Sequence, residues 1–319
     1  MALTEEGLIN VPGIASRWVR LSNGARAHYM TAGDVGTNVI LLHGGFPGSS
    51  GIALWRFMIA ALAEAGFRVY APCRPGFGLS DLRPEYWPHQ GTFSWADFVD
   101  DFANALCLDR FHLSGSSQGA SVSAQYVVEH PEKVISLAFV ASFSLMAQLG
   151  LDDDGKAREE FPPAYVPVRW DGTREMIGKD LLAVAYDKAS IPDDLVEMRF
   201  ISAEKQHESL STAIEFNQNI MTNPGYAQRL RLRGRLDNLD IPAIYLWGKD
   251  DVMASVKAGY EQEKILKNFR FYYPDECGHS GQNDRPDLFN KVFVEFFKTG
   301  KVSAELGKEA GASQGRRRR

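Results

Sequence analysis

Between Val39 and Phe297 short β-branched and aromatic runs alternate with helical patterns, and this rhythm constrains the fold more than any other feature of the chain. Two alternating segments, Trp18 to Leu21 and Ala25 to Met30, precede it and suit an antiparallel start to a sheet. Strand-like runs follow at Val39 to Leu42, Phe67 to Tyr70, Phe111 to Leu113 and Val134 to Val140. Helical patterns lie between or after them at about Ala53 to Ala65, Trp95 to Leu106 and Gln118 to Val128. Strands separated by helices at this spacing imply crossover connections and a mostly parallel central sheet flanked by helices.

The rhythm breaks from about Phe143 to Arg235, where helical pieces are separated by Pro162-Pro163, Pro192 and Pro224-Gly225. It resumes with Ile241 to Leu246, a helix near Val256 to Leu266, Phe269 to Tyr273 and a closing helix from about Asp287 to Phe297. The expected organisation is therefore one α/β core, residues 1–142 and 236–300, with a helical cap at 143–235 inserted after the sixth strand. Residues 301–319 are expected to be a disordered basic tail, because Gly311 to Gly315 reads as a linker and Arg316 to Arg319 as a solvated charge run.

Composition removes several function classes. Forty acidic against 35 basic residues leave a formal charge of −5, which does not suit a nucleic-acid binder. With 45% hydrophobic and 24% charged residues the chain is of ordinary globular composition. Cys73, Cys107 and Cys277 are too few and too scattered for a disulfide framework or a zinc site and read as reduced thiols of a cytoplasmic protein. The opening MALTEEGLIN has no secretory pattern, and the uncharged stretch Val134 to Leu151 reads as a buried strand plus exit loop rather than a membrane span.

Gly115-Ser116-Ser117-Gln118-Gly119 sits between an expected strand and an expected helix. A G-x-S-x-G in that setting is a nucleophile elbow, a tight turn that lifts the serine hydroxyl above the sheet at a helix N-terminus. A serine hydroxyl needs a base at neutral pH. Only His207 and His279 lie well downstream of Ser117; His279 occupies a small-residue loop after a strand, whereas His207 falls within the helical block. The acid is expected at the end of the preceding strand, where Asp250 and Asp251 stand side by side and geometry alone does not choose. His43-Gly44-Gly45-Phe46-Pro47-Gly48 follows the strand Val39 to Leu42, so amides near Gly45 and Phe46, with that of Gln118, are the expected oxyanion hole. His43 is expected to anchor this loop rather than to act as a second base.

These residues resemble the α/β-hydrolase superfamily over about Val19 to Phe297. Within it, Leu41 to Gly48, Arg74 to Asp81, Tyr186-Asp187-Lys188, Leu195 to Phe200, Trp247 to Asp251 and Cys277-Gly278-His279 are similar to the meta-cleavage-product hydrolases. Those enzymes split carbon–carbon bonds in vinylogous diketo acids formed by aromatic ring fission. The resemblance implies a catalytic triad of Ser117, Asp251 and His279, no cofactor and no metal. It also implies that Arg199, in the cap, holds the carboxylate of a small, aromatic-derived substrate, a task suited to a planar guanidinium. Ser116 stands where the family has asparagine, and Ser280 where it has tryptophan; both positions are substrate-binding in the family, which implies a wider and more polar pocket. A carboxylesterase or lactonase would need the same triad, and a non-catalytic ligand-binding member would share the fold. A haloalkane dehalogenase is disfavoured because Ser117 stands where that chemistry needs a carboxylate. No membrane or nucleic-acid partner is expected, and a homo-oligomer is compatible with the sequence.

Overall fold

The computed structural model describes residues 3–167 and 170–314. In chain order the elements of the first half are β1 (Ala15–Arg20), β2 (Arg26–Ala32), β3 (Asn38–Leu42), α1 (Gly51–Glu64), β4 (Arg68–Pro72), α2 (Thr92–Ala105), β5 (Phe111–Ser116), α3 (Gln118–Glu129) and β6 (Val134–Val140). Then come α4 (Leu145–Gln148), α5 (Ala157–Glu160), α6 (Arg174–Val184), α7 (Asp193–Asn219) and α8 (Pro224–Leu230). The chain returns to the sheet with β7 (Ala243–Leu246), α9 (Val256–Ile265), β8 (Phe269–Tyr272), α10 (Gly281–Asp284), α11 (Pro286–Thr299) and α12 (Ala304–Glu309).

The eight strands form one sheet in the order β1-β2-β4-β3-β5-β6-β7-β8. β1 and β2 pair antiparallel, β2 meets β4 antiparallel, and every pairing from β4 through β8 is parallel. Every residue of β3 and of β5 is buried, which requires cover on both faces of the sheet. Val39, Ile40, Leu41 and Leu42 in β3, Phe111 and Leu113 in β5, and the ring of Trp55 on α1 are among the residues fully removed from solvent. α1 packs against α11, and α2 against α3. This is the mostly parallel sheet flanked by helices expected from the alternation, and the α/β-hydrolase fold that the resemblance implied.

Between β6 and β7 the described residues form helices and turns but no strand, so the block around 143–235 is a helical insert following the sixth strand. The expected disordered tail is corrected by the structure. Ser303 to Ala310 carries α12, and the chain beyond it lies along β8, with a bridge from Ala312 to Tyr272 and a 2.9 Å bond from the Ser313 amide to the Phe271 carbonyl. The contact is made by backbone, and the edge of a parallel sheet accepts any segment able to offer amides and carbonyls. A glycine- and serine-containing stretch carries no side-chain signal for that. Arg316 to Arg319 lie outside the described residues.

Candidate active site

The turn after β5 is built by close approach. Ser117 sits at φ 54°, ψ −124°, a left-handed conformation that a non-glycine residue holds only when its surroundings impose it. A Cβ on Gly115 would come 2.2 Å from the Gly119 carbonyl oxygen, and one on Gly119 would come 2.4 Å from the Leu42 carbonyl oxygen. Both flanking glycines are therefore required by backbone contact, the second one by contact with β3. The Ser117 amide donates to the Val140 carbonyl at 2.8 Å, which pins the turn to β6. Gln118 is the first residue of α3, so its N–H has no partner within that helix.

The second half of the site grows from the ends of β7 and β8. Asp251 is buried; its Oδ1 accepts from the amides of Met253 (2.9 Å) and Ala254 (2.8 Å), and its Oδ2 accepts from His279 Nδ1 at 2.8 Å. The carboxylate fixes the proton of His279 on Nδ1 and leaves Nε2 as a free acceptor. That Nε2 is buried with no hydrogen-bond partner among the described residues. The neighbouring Asp250 is exposed, and its amide donates to the Cys277 carbonyl at 3.0 Å, so of the two adjacent acids Asp251 is the one aimed at the histidine. His207 lies exposed on α7 and takes no part.

Ser117, Gln118, Gly45, Phe46 and His279 line one open cavity of about 260 Å³, bordered also by Pro47, Phe143, Ser144, Arg158, Pro167, Met253 and Ala254. The arrangement brings together a serine on a strained turn, a histidine oriented by a buried carboxylate with its Nε2 unbonded, and backbone around Gly45, Phe46 and Gln118. This set suits attack on a carbonyl carbon with the developing oxyanion held by amides.

His43 stands behind the loop. Its Nδ1 donates to the Gly44 carbonyl at 2.8 Å and its Nε2 accepts from the Arg74 amide at 3.1 Å. Full burial, and then the nearby Arg74 charge, hold its pKa well below the usual histidine value, so it is a neutral brace. Arg74 extends the brace: Nη2 donates to the Gly44 carbonyl (2.9 Å) and to Gln118 Oε1 (3.0 Å), and the guanidinium lies 4.6 Å over the Trp95 ring and 5.0 Å over Phe77. Burial lowers its pKa to about 9. Arg74 ties the two sides of the expected oxyanion hole together, a role the sequence reading did not assign. The signal was its place two residues beyond a β-strand that neighbours β3.

Three expected substrate-binding residues do not line the cavity of Ser117. Ser116 is the last residue of β5 and is buried there. Arg199, on α7, is buried behind the 43–50 loop; it donates to the Pro47 carbonyl (2.9 Å from Nη2) and to Ser49 Oγ (3.0 Å), and lies 5.6 Å over the Phe46 ring. Burial first, and then the charge of Arg56, lower its pKa to about 10, with Asp180 acting the other way. Arg199 and Ser280 border a separate cavity of about 20 Å³ together with Asn283 and Asp284. Phe46 and His279 border the first space, and Arg199 and Ser280 the second.

Asp284, also missed from sequence, joins the insert to the histidine loop. Its Oδ1 accepts from the amides of Tyr186 and Asp187 at 3.0 Å each, and its Oδ2 accepts from the Gly278 amide at 2.7 Å. The His279 amide donates to the Val184 carbonyl at 3.0 Å, so the end of α6 is bonded to the catalytic-loop candidate from both sides.

Comparison with known proteins agrees with this fold. The chain is 26% identical to a 2-hydroxy-6-oxo-6-phenylhexa-2,4-dienoate hydrolase of Comamonas testosteroni, over 85% of this chain and 91% of the relative. It is also 26% identical to a 2-hydroxy-6-oxononadienedioate/2-hydroxy-6-oxononatrienedioate hydrolase of Paraburkholderia phymatum, over 88% of this chain and 95% of the relative. Among solved structures, a 2-hydroxy-6-oxo-6-phenylhexa-2,4-dienoate hydrolase from Rhodococcus sp. strain RHA1 superposes with a TM-score of 0.71 at 24% identity, covering 90% of this chain and 99% of that one, and bears on the fold. The model of the alpha/beta hydrolase fold family matches residues 38–286, a span that contains the elbow, the acid and the histidine, and the chain belongs to that family.

Proposed function

We propose that the protein is a serine-dependent hydrolase that cleaves a carbon–carbon bond in a vinylogous diketo acid, the type of compound formed by meta cleavage of an aromatic ring. The observation that carries the reading is the Asp251–His279 pair opening, through a free Nε2, onto the cavity that holds Ser117. Its support as a carbon–carbon hydrolase is that relatives matching along nearly their full length bear the names of dienoate hydrolases. On this reading the dienol first becomes its keto tautomer, with His279 moving the proton. Ser117 then promotes attack on the distal ketone, by acylation or by directing water. Asp251 orients His279 and stabilises the imidazolium, and the Gly45, Phe46 and Gln118 region holds the oxyanion. The buried Arg199, which forms no salt bridge among the described residues, receives the dienoate carboxylate. The free thiols of Cys73, Cys107 and Cys277 are in keeping with a cytoplasmic setting.

An esterase or lactonase is the second reading, favoured by the bonds that already occupy Arg199, to Pro47 and Ser49. The experiment compares Arg199→Ala with the parent on a yellow ring-fission dienoate and on a neutral para-nitrophenyl ester. Removing a buried charged partner costs about 2–5 kcal/mol, so kcat/KM on the dienoate is expected to fall roughly thirtyfold to several-thousandfold while the ester loses far less. Equal small losses on both, or a parent inert towards the dienoate, would establish the esterase reading instead.

A further inference from the structure

Among the described residues that line the Ser117 cavity, Arg158 is the one that carries a permanent charge. Arg158, on the short α5 of the insert, borders the same space as Ser117, Gln118 and His279. The other side chains of that wall, apart from His279 and the polar groups of Ser117, Gln118 and Ser144, are those of Phe46, Pro47, Phe143, Pro167, Met253 and Ala254. The Arg158 guanidinium lies 4.4 Å over the Phe143 ring. It forms no salt bridge among the described residues, although Arg174, Arg229 and Arg231, elsewhere in the insert, are all paired with carboxylates. The residue as a whole reaches solvent, and partial desolvation lowers its pKa against the opposing pull of Asp152. A cation with no carboxylate partner among the described residues, steadied on an aromatic face and bordering the same cavity as Ser117, is arranged to receive an anion there.

We propose that Arg158 is a specificity-determining residue that binds a carboxylate carried on the acyl side of the substrate, so that the cavity prefers an acid-terminated acyl group to an apolar one. The inference rests on Ser117 being the nucleophile and deepens the reading above. The carbonyl carbon must sit at Ser117 under the oxyanion donors, and the acyl chain beyond it then runs into the space bounded by Phe143, Met253 and Arg158. A dienoate whose carboxylate goes to Arg199 on the far side of Phe46 would place its second end here. The preferred substrate class is accordingly a diacid, with one carboxylate on the dienol arm and the other on the group released as the second acid.

The test uses esters, so that it does not depend on carbon–carbon cleavage. Para-nitrophenyl hexanoate and the mono-para-nitrophenyl ester of adipic acid have the same acyl length and differ by a terminal carboxylate. The ratio of kcat/KM, acid ester over neutral ester, is measured for the parent, Arg158→Gln and Arg158→Lys. The parent is expected to favour the acid ester, and Arg158→Gln to lower the ratio by about tenfold, the size of effect of a charge-assisted bond at a partly exposed site. Arg158→Lys, which keeps the charge and loses the fork, is expected between them. Raising the salt concentration should lower the parent ratio and leave that of Arg158→Gln flat. An unchanged ratio in Arg158→Gln overturns the proposal, even with dienoate cleavage intact. A fall in the ratio upholds it, even when the parent cleaves no dienoate and the carbon–carbon reading has failed. If neither ester turns over, the rates at which Ser117 is labelled by neutral and acid-terminated alkyl phosphonofluoridates supply the same ratio, and absence of labelling by both removes the proposal with its nucleophile.

Discussion

At the scale of the residue, the pair Asp250 and Asp251 shows how much one position along a turn decides. Asp251 takes two backbone amides on one oxygen and His279 on the other, whereas Asp250 points to solvent. Asp251→Asn would present an amide N–H or a weaker acceptor to the imidazole and favour the wrong tautomer, so kcat is expected to fall by about three to four orders of magnitude. Asp250→Asn should change it by less than about threefold. Ser117→Ala and His279→Ala should each abolish nearly all turnover while Tm moves little, because neither side chain supports the hydrophobic core. Steady-state kinetics and thermal melts of the four variants check this, and a more damaging Asp250→Asn would reassign the acid. The candidate serine and histidine were legible as positions from local patterns, since an elbow needs its glycines and a base of this kind would sit in a loop after a strand. The acid was legible only as a choice of two, because both residues carry the same group and only the turn conformation selects between them. Arg158 and Arg74 were not legible in these roles at all. An arginine in Ala157-Arg158-Glu159-Glu160 has the composition of a surface turn, and what sets its role is which cavity the folded insert brings it to.

Among the elements, the strands and helices of the core were readable because burial imposes a period on their sequences, and the boundaries moved by a few residues only. The order β1-β2-β4-β3 at one side of the sheet was not readable, since pairing of β2 with β4 is a matter of topology and not of pattern. The insert was readable as helical pieces separated by prolines where the strand rhythm breaks, but its attachment was not. That attachment runs through Asp284, whose carboxylate accepts two amides from the end of the α6 connection and one from the histidine loop. Burial raises its pKa from 3.8 to about 6, against the opposing pull of those three amides. The folded state therefore holds this proton more tightly than the unfolded chain. The group contributes most to stability below the unfolded pKa, and that contribution is lost as pH rises through about 6. Asp284→Asn removes the titration and turns an amide N–H towards at least one backbone donor. We expect the dependence of Tm on pH between about 4 and 6 to flatten in this variant, and kcat to drop on the order of tenfold to a hundredfold as the His279 loop loses its support. Thermal melts across pH, together with kinetics at fixed pH, check both; an unchanged pH profile would show that Asp284 is not the titrating group.

For the whole molecule, the sheet has two edges, and the chain covers part of one of them with a later segment of its own. No helix among the described residues is long and apolar enough to cross a membrane. The segment after α12 lies beside β8 and fills donors and acceptors that a terminal strand otherwise leaves open. Deleting residues 302–319 should lower Tm and, more tellingly, make the apparent mass in solution rise with protein concentration, as followed by light scattering. A deletion variant that stays at constant mass would show that the edge is protected by other means. Seen as a growth problem, a sheet adds strands until something caps its last one, and here the final dozen described residues serve as a chain stopper. Any pairing of two copies through β8 must first peel that stopper away, so assembly at this end of the sheet competes with an intramolecular segment whose local concentration no second molecule readily matches.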